Sequence, residues 1–225
     1  MELENLIAYL FRWMHFFAGV IWIGMLYYFN FVQTEFFKET DAGTKSAAIS
    51  KLVPRALWWF RYGALVTFLT GLALAGFLGS AINFYLIIGM LLGTLMFLNV
   101  WLIIWPKQQI VIASNAQVLG GGQALPEAAK ALAGAGLASR SNALFSLPML
   151  FFMGASAHLT GTGRLPMSAD DGVSMLAVIL TLVIIAGLEI NAIKGKVGPM
   201  ASVVGVIHCG IGLAAALLVI AEFLE

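Results

Sequence analysis

Six long apolar stretches dominate the sequence: residues 6–31, 57–78, 82–105, 143–160, 173–193 and 198–223. Each is near the length of about 20 residues that a helix needs to cross a bilayer. The apolar residues run on without alternation, which argues against the strands of a membrane barrel. The reading is therefore an all-α integral membrane protein, a bundle of six transmembrane helices forming a single domain over residues 1–225. Composition supports it: 61% of residues are hydrophobic and only 10% are charged, against about 25% charged in soluble domains.

The basic residues set an expected orientation. Lys38, Lys45, Lys51 and Arg55 fall in the loop 32–56. Lys107, Lys130 and Arg140 fall in the loop 106–142, and Lys194 and Lys196 in 194–197. Only Arg164 falls on the other side. Cytoplasmic loops collect Lys and Arg, so both termini are expected outside, in the periplasm of a bacterial inner (plasma) membrane. The first stretch lacks a basic n-region and a small-residue cleavage site, so it reads as a retained helix. Pro106 is expected to end the third span, and the Gly/Ala-rich segment after it to be a flexible loop with a short helix at 126–132. Net charge is +1, which offers nothing to a nucleic acid. The partner implied throughout is the lipid bilayer.

Ionisable groups inside a membrane are costly and are functional candidates for that reason. The three histidines, His15, His158 and His208, all fall in or at the edge of spans. At ~1.5 Å per residue, His15 and His208 both lie roughly 15 Å deep, near the midplane, and His158 lies near the outer face. Two neutral imidazoles at one depth can ligate the iron of a b-type haem, which needs ligands and an apolar slot but no covalent attachment. Gly19, Gly205 and Gly212 stand one turn from His15 or His208 and leave room for a flat macrocycle, or equally for another helix. Plain interhelical hydrogen bonding is the competing reading of the histidines. Arg12, one turn outward from His15, is placed either to pair with a haem propionate or to reach the outer interface. Arg61 is expected to snorkel to the interface beside Trp58 and Trp59, and Glu189 to pair with a loop lysine. The lone Cys209 forms no internal disulfide, and the chain has no CxxCH for covalent haem.

Three ordered motifs, FRWMHFFAGVIWIGMLYYFNFVQ, FLNVWLIIWPKQQIVIA and ASRSNALFSLPMLFFMGASAH, resemble the membrane domain of the bacterial membrane-bound urate hydroxylases. Many of those proteins carry a cytochrome c domain after the membrane part, and this chain lacks its CxxCH. The resemblance implies oxidation of urate toward 5-hydroxyisourate, with His15 and His158 as the membrane histidines and Arg12 and His158 the candidates to meet substrate. Arg12, Asn99, Pro106, Asn142 and Pro148 match the pattern. The expected activity is a membrane redox protein that holds haem b and passes electrons to a separate cytochrome c. The alternative is a non-catalytic accessory or assembly subunit of a larger respiratory or oxidase complex. Glycine-bearing helix faces are compatible with a homo-oligomer.

Overall fold

A computed structural model describes residues 2–159 and 174–223. Among them the chain is helical, without strands. The helices are α1 (Leu3–Tyr27), α2 (Thr34–Glu39), α3 (Ala42–Lys51), α4 (Val53–Leu78), α5 (Phe84–Leu98), α6 (Trp105–Leu119), α7 (Ala128–His158), α8 (Met175–Lys194) and α9 (Val203–Phe223). Arg164, the basic residue expected on the opposite side, lies outside the described residues.

Five helical stretches are long and apolar enough to cross a membrane: Leu3–Glu39, Val53–Ala81, Phe84–Leu119, Met175–Lys194 and Val203–Phe223. Their outward faces carry bare Val20, Leu102, Val183 and Ile190, a surface suited to lipid and not to water. The expected fourth span is not among the five. It is the second half of α7, which packs against α1, α5, α6, α8 and α9. A helix wrapped by others needs small and hydrogen-bonding residues more than lipophilic ones. Buried Ser141, Asn142, Ala143 and Ser146 supply them.

Two expected loops are largely helical. The first helix runs past residue 31 to Glu39 through a π-helical segment, Tyr28–Gln33. Its Asn30 is buried, and the side-chain amide donates to the Leu26 carbonyl and to Ser139 on α7. Pro106 does not close the third span. A second π-helical segment, Asn99–Ile104, lies just before it, and α6 continues to Leu119. Proline clashes with the carbonyl four residues back, and a widened turn is a recognised way to absorb that disturbance. Only residues 120–127 separate α6 from α7.

The interior forms where α5 lies along α7. Tyr85, Ile88, Leu92 and Met96 meet Phe145, Met149 and Phe152 in one buried cluster, joined by Trp22, Leu26 and Phe60 from α1 and α4. Gly89 makes the approach close, since a Cβ there would stand 3.1 Å from Met153 Cγ and 3.3 Å from its backbone nitrogen. Gly63 does the same for α4 and α1: a Cβ would stand 3.0 Å from the Trp22 backbone nitrogen.

Polar clasps cross the bundle at several levels. The Asn99 amide donates to Asn142 Oδ1 at 3.0 Å and to Glu189 Oε2 at 3.1 Å, while the Asn142 amide donates to the Met96 carbonyl. Glu189 therefore finds its partner within the bundle and not in a loop lysine. Asparagine offers a donor and an acceptor on one short side chain, which lets Asn99 and Asn142 join α5, α7 and α8. Arg61 turns its guanidinium onto the Trp105 ring, 3.6 Å from its centroid, and lies 5.1 Å from the Trp101 centroid. Its charge is thus held by the aromatic faces of the next helix, a stacking arginine favours.

A cavity built around His15

Helices α1, α4, α5 and α7 line a half-open cavity of about 530 Å³. That volume falls in the range of about 300–1,000 Å³ typical of small-molecule and cofactor sites. Its walls are mostly apolar, with Phe68, Met90, Met149 and Met153 among them, and its polar groups include Arg12, His15, Asn83, Thr94 and Ser156.

His15 is fixed by α4. Its Nδ1 lies 2.9 Å from the Thr67 carbonyl oxygen and 3.1 Å from Thr70 Oγ1. The Thr70 hydroxyl itself donates at 2.6 Å to the Val66 carbonyl. A carbonyl only accepts, so Nδ1 carries the proton. In the neutral ring Nε2 then keeps its lone pair, and no described residue is hydrogen-bonded to it. Gly71 makes room for this placement: a Cβ there would stand 3.2 Å from His15 Cε1. An imidazole whose far N–H is held by a backbone carbonyl is oriented as metal-binding imidazoles are.

The other groups give the cavity direction. Arg12 lines it one turn toward the N-terminus from His15. Near the same end, the Asn83 amide donates to the Ser156 carbonyl at 2.8 Å, and Asn83 Oδ1 caps α5 at Leu86. Deeper in the wall stands Trp22, 2% exposed, whose indole Nε1–H has no hydrogen-bond partner. Buried indole N–H groups normally find one.

The structure does not gather all the residues singled out from the sequence. His15 and Arg12 share the cavity. His158 is exposed at the C-terminus of α7, beside Ser156 and Ala157, which line the wall. His208 is exposed on α9, and its Nδ1–H donates to the Val204 carbonyl of its own helix at 2.8 Å. Helix α9 packs on α7 and α8, and α1 on α4 and α7, so His15 and His208 stand on helices that do not pack as a pair. Gly19 faces α4 at Thr67, Gly212 faces open space, and a side chain at Gly205 would run into the Pro199 carbonyl. The glycines that line the cavity are Gly71 and Gly93. No group of three His, Cys, Asp or Glu side chains suited to a metal ion occurs among the described residues.

Gly71, Asn83 and the three methionines are not marked out by the sequence. Gly71 stands alone in α4, and nothing local marks it as the residue opposite His15. Trp22, two turns along α1 from His15, reads in the sequence as a membrane-interface anchor or packing residue, and the structure buries it in the cavity wall.

The family described as Urate oxidase N-terminal matches residues 77–216. The chain belongs to that family. The matched region takes in α5 to α8 and most of α9, with the cavity's α5 and α7 walls, while Arg12 and His15 precede it. No curated protein and no solved structure matches the chain.

Proposed function

We propose that this urate oxidase N-terminal family member is a membrane redox protein of the bacterial inner membrane, acting on urate or a closely similar purine. Urate hydroxylation by water releases two electrons and two protons, so the reaction needs an electron acceptor. A separate cytochrome c on the outer side is the acceptor proposed. The observation that carries the reading is the His15 ring, proton fixed on Thr67 and Nε2 unpartnered, in the wall of a large, mostly apolar cavity.

The residues present fit a b-type haem at His15. The cavity is of cofactor size, Nε2 would be the ligating atom, and Gly71 leaves room for the imidazole. Arg12, in the same wall, would pair with a propionate. His208 is not among the cavity's lining residues, whereas the thioethers of Met90, Met149 and Met153, which could also hold the group, are. Bound there, haem would supply one-electron transfer. The chain's own contribution is to hold the His15 tautomer, exclude water with the apolar wall, and present Arg12 and the Trp22 N–H to bound polar atoms.

The test is a reduced-minus-oxidised absorption spectrum of the purified protein beside His15→Ala. The expected result is a haem α-band in the wild type that is lost in the variant. A wild type purified from haem-replete cells without that band would overturn the haem assignment. Absence of urate-dependent cytochrome c reduction by haem-loaded protein would overturn the activity.

One observation favours the accessory-subunit reading. His208 lies in the second turn of α9 on its exposed face, and a polar ring facing lipid is costly. A partner helix over that face removes the cost. Stoichiometric co-purification with a larger complex, and no urate turnover alone, distinguishes it.

A further inference from the structure

Arg140 lies near the basic end of the bundle on α7, where the sequence suggests a solvated loop. It is instead 6% exposed. Among the described residues, the carboxylate paired with it is Glu35, with Oε1 4.0 Å from Arg140 Nη2. Both oxygens of Glu35 already accept from Lys38 Nζ at 2.8 Å. Arg140 Nη1 is buried and has no hydrogen-bond partner among the described residues. A second buried atom, the Gln33 side-chain oxygen, likewise has none among them. Gln33 is one turn along the first helix from Asn30, and Asn30 is bonded to Ser139, the residue before Arg140. Lys107 lies over Gly134, further toward the start of α7, and adds positive charge to this end.

A buried guanidinium with an unused donor is expensive, because its desolvation is compensated only when charge and hydrogen bonds are matched. The unpartnered atoms are one cationic donor and one neutral acceptor. Water satisfies both but neutralises no charge. An anion bearing a hydroxyl satisfies both and neutralises the charge as well: its anionic oxygen takes the Nη1–H and its hydroxyl donates to Gln33. We propose that this seam between the first helix and α7 binds a hydroxyl-bearing phosphate, either the phosphoglycerol headgroup of an anionic lipid or free hydrogen phosphate. Such basic sites between helices are one way membrane proteins hold anionic lipid. The site is separate from the His15 cavity, so it stands whether or not haem binds there.

Native mass spectrometry of the full chain in neutral detergent tests it, with phosphatidylglycerol, phosphatidylcholine and inorganic phosphate as three arms. Phosphatidylglycerol is expected to be retained in preference to phosphatidylcholine. Arg140→Gln is expected to weaken retention about tenfold, the scale of one charge-assisted contact, and Lys130→Gln, an exposed cation on the same helix, to leave it unchanged. Gln33→Leu guards against a misfolded arginine variant. It weakens retention if the oxygen meets a ligand, and leaves binding unchanged if it does not. Binding confined to the inorganic phosphate arm, with the same residue dependence, assigns the site to the free anion. Retention of neither probe, or retention indifferent to both Arg140→Gln and Gln33→Leu, overturns the proposal and leaves a water-bridged arginine.

Discussion

His15 and Thr67 are joined by a hydrogen bond of 2.9 Å between the imidazole Nδ1–H and the backbone carbonyl of the neighbouring helix. The carbonyl cannot be titrated or mutated away, so the tautomer is fixed by the packing of α1 on α4. That contact turns a buried histidine into an oriented one, with Nε2 as the atom left for chemistry.

The cavity is therefore sensitive to the spacing of α1 and α4 at Gly71. Gly71→Ala places a methyl 3.2 Å from His15 Cε1 and is expected to rotate or displace the ring. Haem affinity should fall about 10–100-fold, the effect of disturbing the groups that orient a ligand. Titration of the purified apoprotein with haem measures it. Unchanged affinity would mean that ring placement does not matter to the site.

His208→Ala should behave unlike His15→Ala. His208 is exposed and bonded only to its own helix, so its removal leaves no buried group unsatisfied. Haem content and thermal midpoint should match the wild type. A loss equal to that of His15→Ala would show that His208 serves the same centre, by way of a second copy of the chain.

Gly63 and Gly24 provide a paired test of the helix approach. At Gly63 a Cβ meets the Trp22 backbone at 3.0 Å, whereas at Gly24 nothing lies within 4 Å. Backbone cannot yield as a side-chain tip does, so Gly63→Ala should cost about 1–3 kcal/mol as overpacking. It should also move Trp22 in the cavity wall. Gly24→Ala should be neutral, or stabilise by up to about 1 kcal/mol through helix propensity. Unfolding in mixed micelles ranks the two.

Asn142 is fully buried and links the Asn99 amide to the Met96 carbonyl. Asn142→Leu should destabilise by about 1–3 kcal/mol, because polar atoms remain buried without partners. Interhelical hydrogen bonds in membranes average only about 0.6 kcal/mol in double-mutant cycles. The coupling to Asn99→Leu should therefore be smaller than either single loss. A coupling as large as the single losses would contradict this division.

Asp41 caps α3 outside the spans. Its carboxylate accepts from the Thr44 hydroxyl at 2.6 Å and from the Thr44 and Gly43 backbone N–H groups. These bonds, the Thr44 hydroxyl first, hold its pKa below the usual carboxylate value. The sign follows from linkage: a lowered folded pKa stabilises the cap above the unfolded pKa and loses that contribution as pH falls through the folded one. Protection of the Gly43 and Thr44 amides, relative to intrinsic exchange at the same pH, should fall in that acid range. Asp41→Asn keeps a capping side chain and should abolish the pH dependence.

Much of this architecture was already determined by the sequence. Long apolar runs with few charges have one stable form in a bilayer, helices whose backbone groups bond internally, and the asymmetry of Lys and Arg gathers the basic segments at one end. The pairing of elements was not determined locally. Pro106 reads as a stop until the π-helical turn before it is seen. Glu189 reads as a partner for a loop lysine until α8 brings it to Asn99. Residues 143–160 read as one more span like the others, although in the structure the second half of α7 packs among α1, α5, α6, α8 and α9. His15 and His208 read as sharing a depth, but depth along an axis says nothing about which helix lies beside which. Only packing decided that His15 faces Thr67 and Gly71 across a cavity while His208 faces outward. The physical reason is that helix periodicity records a residue's face and height, whereas the identity of the surface it meets depends on close-packed contacts between segments distant in the chain.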